Sequence, residues 1–183
     1  MTQHSTNGGE AWKGVVAGLL GGLAASWTME LFQYAWINLS GMGKQGAGGK
    51  SGGKQQGSSQ QSGNDDEDST MKGAELVAEK VFHTRLTKEE RKKAGPMLHY
   101  ALGASLASVY GGLAEFQPEV TVGGGLPYGA FVWLFMDEIG VPLLGLSKPS
   151  WEYPLSIHTY ALTSHFVYGA TTELVRRIVR NVL

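Results

Sequence analysis

Four apolar stretches of this chain each carry a row at four-residue spacing, mostly of small residues, and each row ends on a carboxylate. The rows are Gly14, Gly18, Gly22, Ser26, Glu30; then Gly103, Ala107, Gly111, Glu115; then Gly125, Gly129, Trp133, Asp137; and finally Ala161, His165, Gly169, Glu173. Residues four apart share a helix face. Small side chains on that face let two backbones approach closely, which is how helices associate in lipid. Carboxylates at membrane depth are costly and mark functional positions. The pattern predicts an all-α protein of membrane-spanning helices.

Composition must be read segment by segment. The mean hydropathy of -0.12 looks wrong for a membrane protein, but a long polar segment dilutes the apolar ones. Gly14 to Met29, Gly95 to Ala114, Val120 to Met136 and Tyr153 to Thr172 contain no Asp, Glu, Lys or Arg. Each run is roughly 16 to 20 residues, near the length needed to cross a hydrocarbon core. A soluble bundle would carry a polar stripe on each helix, whereas these runs are apolar or small all round. A formal net charge of -1 gives no global pull towards nucleic acid. The absence of cysteine removes disulfides, thiolate metal sites and cysteine catalysis. Met1 to Trp12 lacks a basic region followed by a cleavage site, so the first span is expected to act as an uncleaved membrane signal.

The chain divides into residues 1–39, a tail and first transmembrane helix; 40–70, a flexible polar linker; 71–94, an amphipathic surface helix; and 95–183, transmembrane helices two to four. The linker is rich in Gly, Ser, Gln and Lys, closes on Asp65-Asp66-Glu67-Asp68, and lacks the apolar residues that offset ordering entropy. Ala74, Val77, Ala78, Val81 and Phe82 recur at helical spacing among charges, the pattern of a helix lying at the membrane surface. Thr87 before Glu89 and Glu90 marks a helix start, and Pro96 is expected near a start as well.

Two halves look duplicated. Val109-Tyr110-Gly111 and Glu115 match Val167-Tyr168-Gly169 and Glu173 at a constant offset, while Gly18, Gly22, Met29 and Glu30 match Gly125, Gly129, Met136 and Asp137. This predicts a bundle of four helices built as a two-fold repeat of a helical hairpin. Gly18, Gly22, Gly103, Ala107, Gly111, Gly125, Gly129 and Gly169 are the expected packing positions. Alternating spans put Glu30 and Asp137 towards one membrane face, and Glu115 and Glu173 towards the other. Basic residues at the span ends leave the orientation open: Lys44, Lys50, Lys54 and Arg91 to Lys93 place the long loop in the cytoplasm, and Arg176, Arg177 and Arg180 argue the reverse.

Five residues could form an ion or proton path: Glu30, His165, Glu173, Asp137 and His158. His158, His165 and Glu173 share a face, and His99 could join them. The bland alternative is packing and pairing across helices. Pro142 cannot bond back to Glu138, so the helix should kink or end there. A broken helix beside Asp137 and Glu138 would suit an ion site; the favoured alternative is that the span ends near Met136, with Ile139 to Leu146 along the interface. Arg176, Arg177 and Arg180 are expected to anchor the last helix at headgroups. Gly123-Gly124-Gly125 lacks a following Lys-Ser/Thr and is no phosphate loop. No catalytic, cofactor-binding or metal-binding set is expected.

The second half resembles the YagU-like family of bacterial inner-membrane proteins, a family of unknown function. The resemblance rests on Gly125, Gly129-Ala130, Leu134-Phe135, Pro142-Leu143, Gly145-Leu146-Ser147, Pro149, Pro154, His165, Glu173 and Arg176-Arg177. It implies a multi-pass protein of the bacterial inner membrane without an established reaction. The expected role is non-enzymatic, in support, assembly or stress response; a small proton or cation channel is the alternative. The expected partners are the lipid bilayer and either further copies or another membrane protein, with no nucleic acid and no cofactor.

Overall fold

The computed structural model describes residues 10–40 and 68–183, and every regular element among them is helical. The linker expected at 40–70 lies outside the described residues except at its two ends. Three helices dominate: α1 (Ala11–Ser40), α3 (Lys88–Phe116) and α6 (Leu155–Val182), of 30, 29 and 28 residues. At 1.5 Å per residue each is about 42–45 Å long. Only α1 among the described helices, over Ala11–Leu39, is both long and apolar enough to cross a membrane by itself, with a mean hydropathy of 1.5 over its best window. Helices α3 and α6 have the length, but serines, threonines, histidines and terminal charges interrupt their apolar residues.

Helix α2 (Ser69–Phe82) is capped by Asp68, whose side chain accepts the Met71 N–H, and it ends on His83 in the left-handed conformation. It lies on α3 through Met71, Ala74 and Ala78, leaving Val81 and Phe82 exposed. The expected single segment 71–94 is thus divided, because a second helix starts inside it. A capping box at Thr87 starts α3: the Thr87 hydroxyl accepts from Glu90 N–H, and the Glu90 carboxylate accepts from Thr87 N–H at 2.8 Å. This start overrides Pro96, which sits inside α3 rather than at a helix start. A reciprocal cap satisfies two amide donors at once, and the helix it nucleates continues through the one bond that proline omits.

After α3, a short 3-10 turn (Pro118–Thr121) leads into Gly123, Gly124 and Gly125, all with positive φ (82°, 64° and 86°). Only glycine enters that region without penalty, and the run reverses the chain into α4 (Leu126–Val132). The third span does not end near Met136 as expected. It widens into a π-helical stretch, Trp133–Gly140, and continues as α5 (Val141–Leu143). The N–H of Val141 reaches back to Met136 rather than to residue 137. With i→i−5 bonding, the N–H that Pro142 lacks is no break point, so the helix accommodates the proline by widening.

Helix α1 packs against both α3 and α6, α4 packs against α6, and α2 against α3. The α1–α3 pair is antiparallel through a glycine seam. A Cβ on Gly18 would strike the Ala107 carbonyl, and one on Gly22 would lie 2.6 Å from Ala107 Cβ. The α4–α6 pair is antiparallel in the same manner, with Gly129 against the His165 carbonyl and Gly169 against the Gly125 carbonyl. The core is inverted relative to a water-soluble protein. The largest fully buried side chains are Glu173, Thr172, Ser26 and Ser164, whereas Leu19, Leu20, Leu23, Leu31, Leu113, Phe131, Phe135 and Leu174 are exposed.

Candidate functional site

The glycine seams hold helix backbones close, and where they end the helices part around a cavity of about 280 Å³. Its walls are chiefly apolar, from Met29, Leu76, Leu98, Leu106, Val132 and Leu144. Polar side chains also line it, among them Ser26 and Gln33 from α1, Ser69 and Thr70 from α2, His99 from α3, Asp137 from the π-helical stretch, and Tyr160, His165 and Tyr168 from α6. Met136, Asp137, Gly140 and Val141, in and beside the widened turn, share one wall.

These polar groups are incompletely partnered. Ser26 is 0 % and Gln33 2 % exposed, yet Ser26 Oγ and Gln33 Oε1 have no hydrogen-bond partner among the described residues, and neither has His99 Nε2. Buried polar atoms are nearly always bonded, and Trp36 Nε1 and Trp133 Nε1 are left unpartnered elsewhere among the described residues. His165 Nδ1 lies 2.9 Å from the Ala161 carbonyl and therefore donates to it. The nearest Asp137 oxygen stands 3.7 Å from that same nitrogen, too far for a good hydrogen bond. His99 is close enough to feel the charges of Asp137, His165 and Glu30.

The other candidate residues lie elsewhere. Glu30 accepts a 2.8 Å hydrogen bond from Tyr100 Oη. His158 Nδ1 lies 2.7 Å from Glu138 Oε1, so it pairs with α4's extension rather than continuing a line to His165. Glu173, 2 % exposed, takes Arg176 Nε on Oε2 at 2.7 Å and Arg176 Nη2 on Oε1 at 2.9 Å, with Arg177 and Tyr110 completing its shell. Arg180 bridges Glu115 and Glu10, each at 2.9 Å. Glu10 lies outside the apolar runs, and its hydrogen bonds from Lys13 and Arg180 lower its carboxyl below the ordinary value. The expectation that Arg176 anchors to headgroups is corrected here: Arg176 is buried and drawn inward by Glu173. A buried carboxylate demands a partner, and the nearest cations on α6 supply it.

Between these two ends three tyrosines meet. Tyr110 stacks on Tyr128 at 4.2 Å between ring centroids. Tyr168 Oη donates to the Gly103 carbonyl at 2.6 Å, so Tyr128 is the donor in its 3.2 Å contact with Tyr168. Sequence reasoning named Asp137, His165 and His99 but missed Gln33. Its only signal was its place two turns after Ser26 on one α1 face.

Comparison with known proteins adds an identity without an activity. A family model described as "Protein of unknown function (DUF1440)" matches residues 76–174, which takes in α3, α4, the π-helical stretch and most of α6. The inner membrane protein YagU of Escherichia coli K12 is 31% identical over 83 residues, 45% of this chain. The match spans 41% of that relative's length. No solved structure matches the chain. Since the family model covers more than half of the residues, from the second half of α2 to Leu174 in α6, the chain belongs to the DUF1440 family of proteins of unknown function.

Proposed function

We propose that the chain is a multi-pass protein of the bacterial inner membrane with a non-enzymatic role in support, assembly or stress response. The inverted core carries the reading. Small and polar residues fill the helix seams, while leucine, valine and phenylalanine cover the outside of α1, α3 and α4. That distribution suits hydrocarbon as the surrounding medium, because packing and hydrogen bonding, not apolar burial, hold helices together there. Four crossings follow if α1, α3, α4 with its extension and α6 each span. The recurrence of one glycine contact in the pairs α1–α3 and α4–α6 supports a repeated hairpin. The inner membrane is the location named for the relative.

Topology is testable directly, because the chain has no cysteine of its own. Single cysteines at Gln117 and Ser147, labelled with an impermeant maleimide in right-side-out and inverted vesicles, should react from opposite sides. Labelling of both from one side overturns the four-span reading.

Conduction is the second reading, favoured by polar groups at two depths: Asp137 and His165 at the cavity, and Glu173 beyond the tyrosine cluster. Flux in proteoliposomes under a pH or potassium gradient that collapses in Glu30→Gln or His165→Ala would establish it. Flux no greater than that of empty liposomes would remove it.

A further inference from the structure

We propose that the cavity is a binding site for a small lipophilic primary amine, its ammonium at Asp137 and its hydrocarbon against the apolar walls. The inference rests on the membrane reading for the route of entry, and deepens it by naming a ligand class. The volume of about 280 Å³ is at the lower edge of known ligand pockets, so one small molecule or one short chain fits. The walls from Met29, Leu76, Leu98, Leu106, Val132 and Leu144 would take the apolar part.

The polar lining selects the head. Asp137 is an acid without a close ion pair among the described residues: His165 Nδ1 stands 3.7 Å away and is already committed to Ala161, and His99 is near enough for its charge to act on the acid without bonding to it. Gln33 Oε1 is a pure acceptor, and Ser26 Oγ can accept; both are buried without a partner among the described residues. A head with N–H donors and one positive charge answers Asp137, the acid that lines the space; Ser26 Oγ and Gln33 Oε1 are closed off, Ser26 Oγ lying in the α1–α3 seam against Gly103. An ammonium has three donors and no acceptor. A carboxylate head would face the like charge of Asp137. A neutral alcohol has one donor and leaves the acid unmatched. Among the described residues no three His, Asp or Glu groups are placed to hold a metal ion.

The test uses the full chain in nanodiscs, with n-octylamine, 1-octanol and octanoate as matched probes and calorimetry against empty nanodiscs as the readout. Saturable binding of octylamine is expected, at least about tenfold tighter than octanol. Asp137→Asn should weaken octylamine by about tenfold or more while leaving octanol within about threefold. Gly73→Leu provides a second, independent variant. The new side chain would enter from α2, where even a Cβ lies 3.0 Å from Leu98 Cδ2, and should abolish binding of both probes. Nanodiscs with and without phosphatidylethanolamine separate the sources: competition assigns the ammonium to a lipid headgroup, and its absence to a free amine. Equal binding of amine and alcohol with no response to Asp137→Asn, a preference for octanoate, or no saturable binding would each overturn the proposal. Amine binding with a failed topology test would sink the membrane reading and leave the site standing.

Discussion

Gly18 on α1 and Gly129 on α4 make the same contact in two different helix pairs. A Cβ on Gly18 would strike the carbonyl of Ala107 and crowd Gly111 Cα; a Cβ on Gly129 would strike the carbonyl of His165 and crowd Gly169 Cα. Ala107 with Gly111 and His165 with Gly169 keep the offset seen in the sequence match of Tyr110 with Tyr168. The α1 and α4 rows do not keep theirs. Sequence matching sets Gly18 against Gly125, whereas the contacts set Gly14 against Gly125 and Gly18 against Gly129, one helical turn away. In that frame Ser26, not Glu30, is the counterpart of Asp137.

This equivalence makes matched substitutions informative. Gly18→Ala and Gly129→Ala should each destabilise the bundle by about 1–3 kcal/mol, since the obstacle is a backbone carbonyl that cannot move aside. The two should be additive, because they share no neighbours. Gly112→Ala meets only Val15 Cγ2, at 3.1 Å, and should stay within about 1 kcal/mol of the native chain. Thermal unfolding in one detergent measures all three.

Glu173 is the most demanding buried group. Glu173→Ala strands Arg176 and should cost about 3–5 kcal/mol. Arg177, whose side chain is 56 % exposed, should cost under about 1 kcal/mol when replaced by alanine. A double-mutant cycle between Glu173 and Arg176, read by chemical unfolding, should give a coupling clearly larger than that between Glu173 and Arg177.

Tyr100→Phe removes the donor to Glu30 and should destabilise the α1–α3 pair by about 1 kcal/mol. Glu30→Gln retains an acceptor for Tyr100 and should cost less. The comparison reads the hydrogen bond rather than the charge, and equal losses would show that Tyr100 does not bond to Glu30.

The start of α3 gives a prediction in pH. Hydrogen bonds from the Thr87 backbone N–H and hydroxyl hold the Glu90 carboxyl below its ordinary 4.5. A depressed carboxyl contributes stability that is full above 4.5 and is lost as pH falls through the lowered folded value. Carbon NMR of the Glu90 carboxyl should show that low midpoint. Thr87→Pro keeps the observed φ of -66° but deletes both donors, and should return the midpoint towards 4.5.

Much of the framework can be read in the amino-acid order itself. Four-residue spacing identifies the faces on which Gly18, Gly22, Gly103 and Gly129 pack, because a helix repeats its faces locally. Thr87 with Glu90 marks the start of α3 for the same reason: a cap is completed within one turn. The tertiary structure alone decided which carboxylate meets which cation. Arg176 reads as a terminal anchor in the sequence, yet the energetic demand of burying Glu173 pulls it inward. The π-helical turn at Trp133–Gly140 was equally hidden, since Pro142 reads as a stop until packing against α6 holds the chain helical through it. The cavity follows from both. Ser26, Gln33, His99, Asp137 and His165 come from four helical segments, and no local periodicity records the distances between helices. Local order sets each face; the depth to which facing backbones approach sets the space left between them.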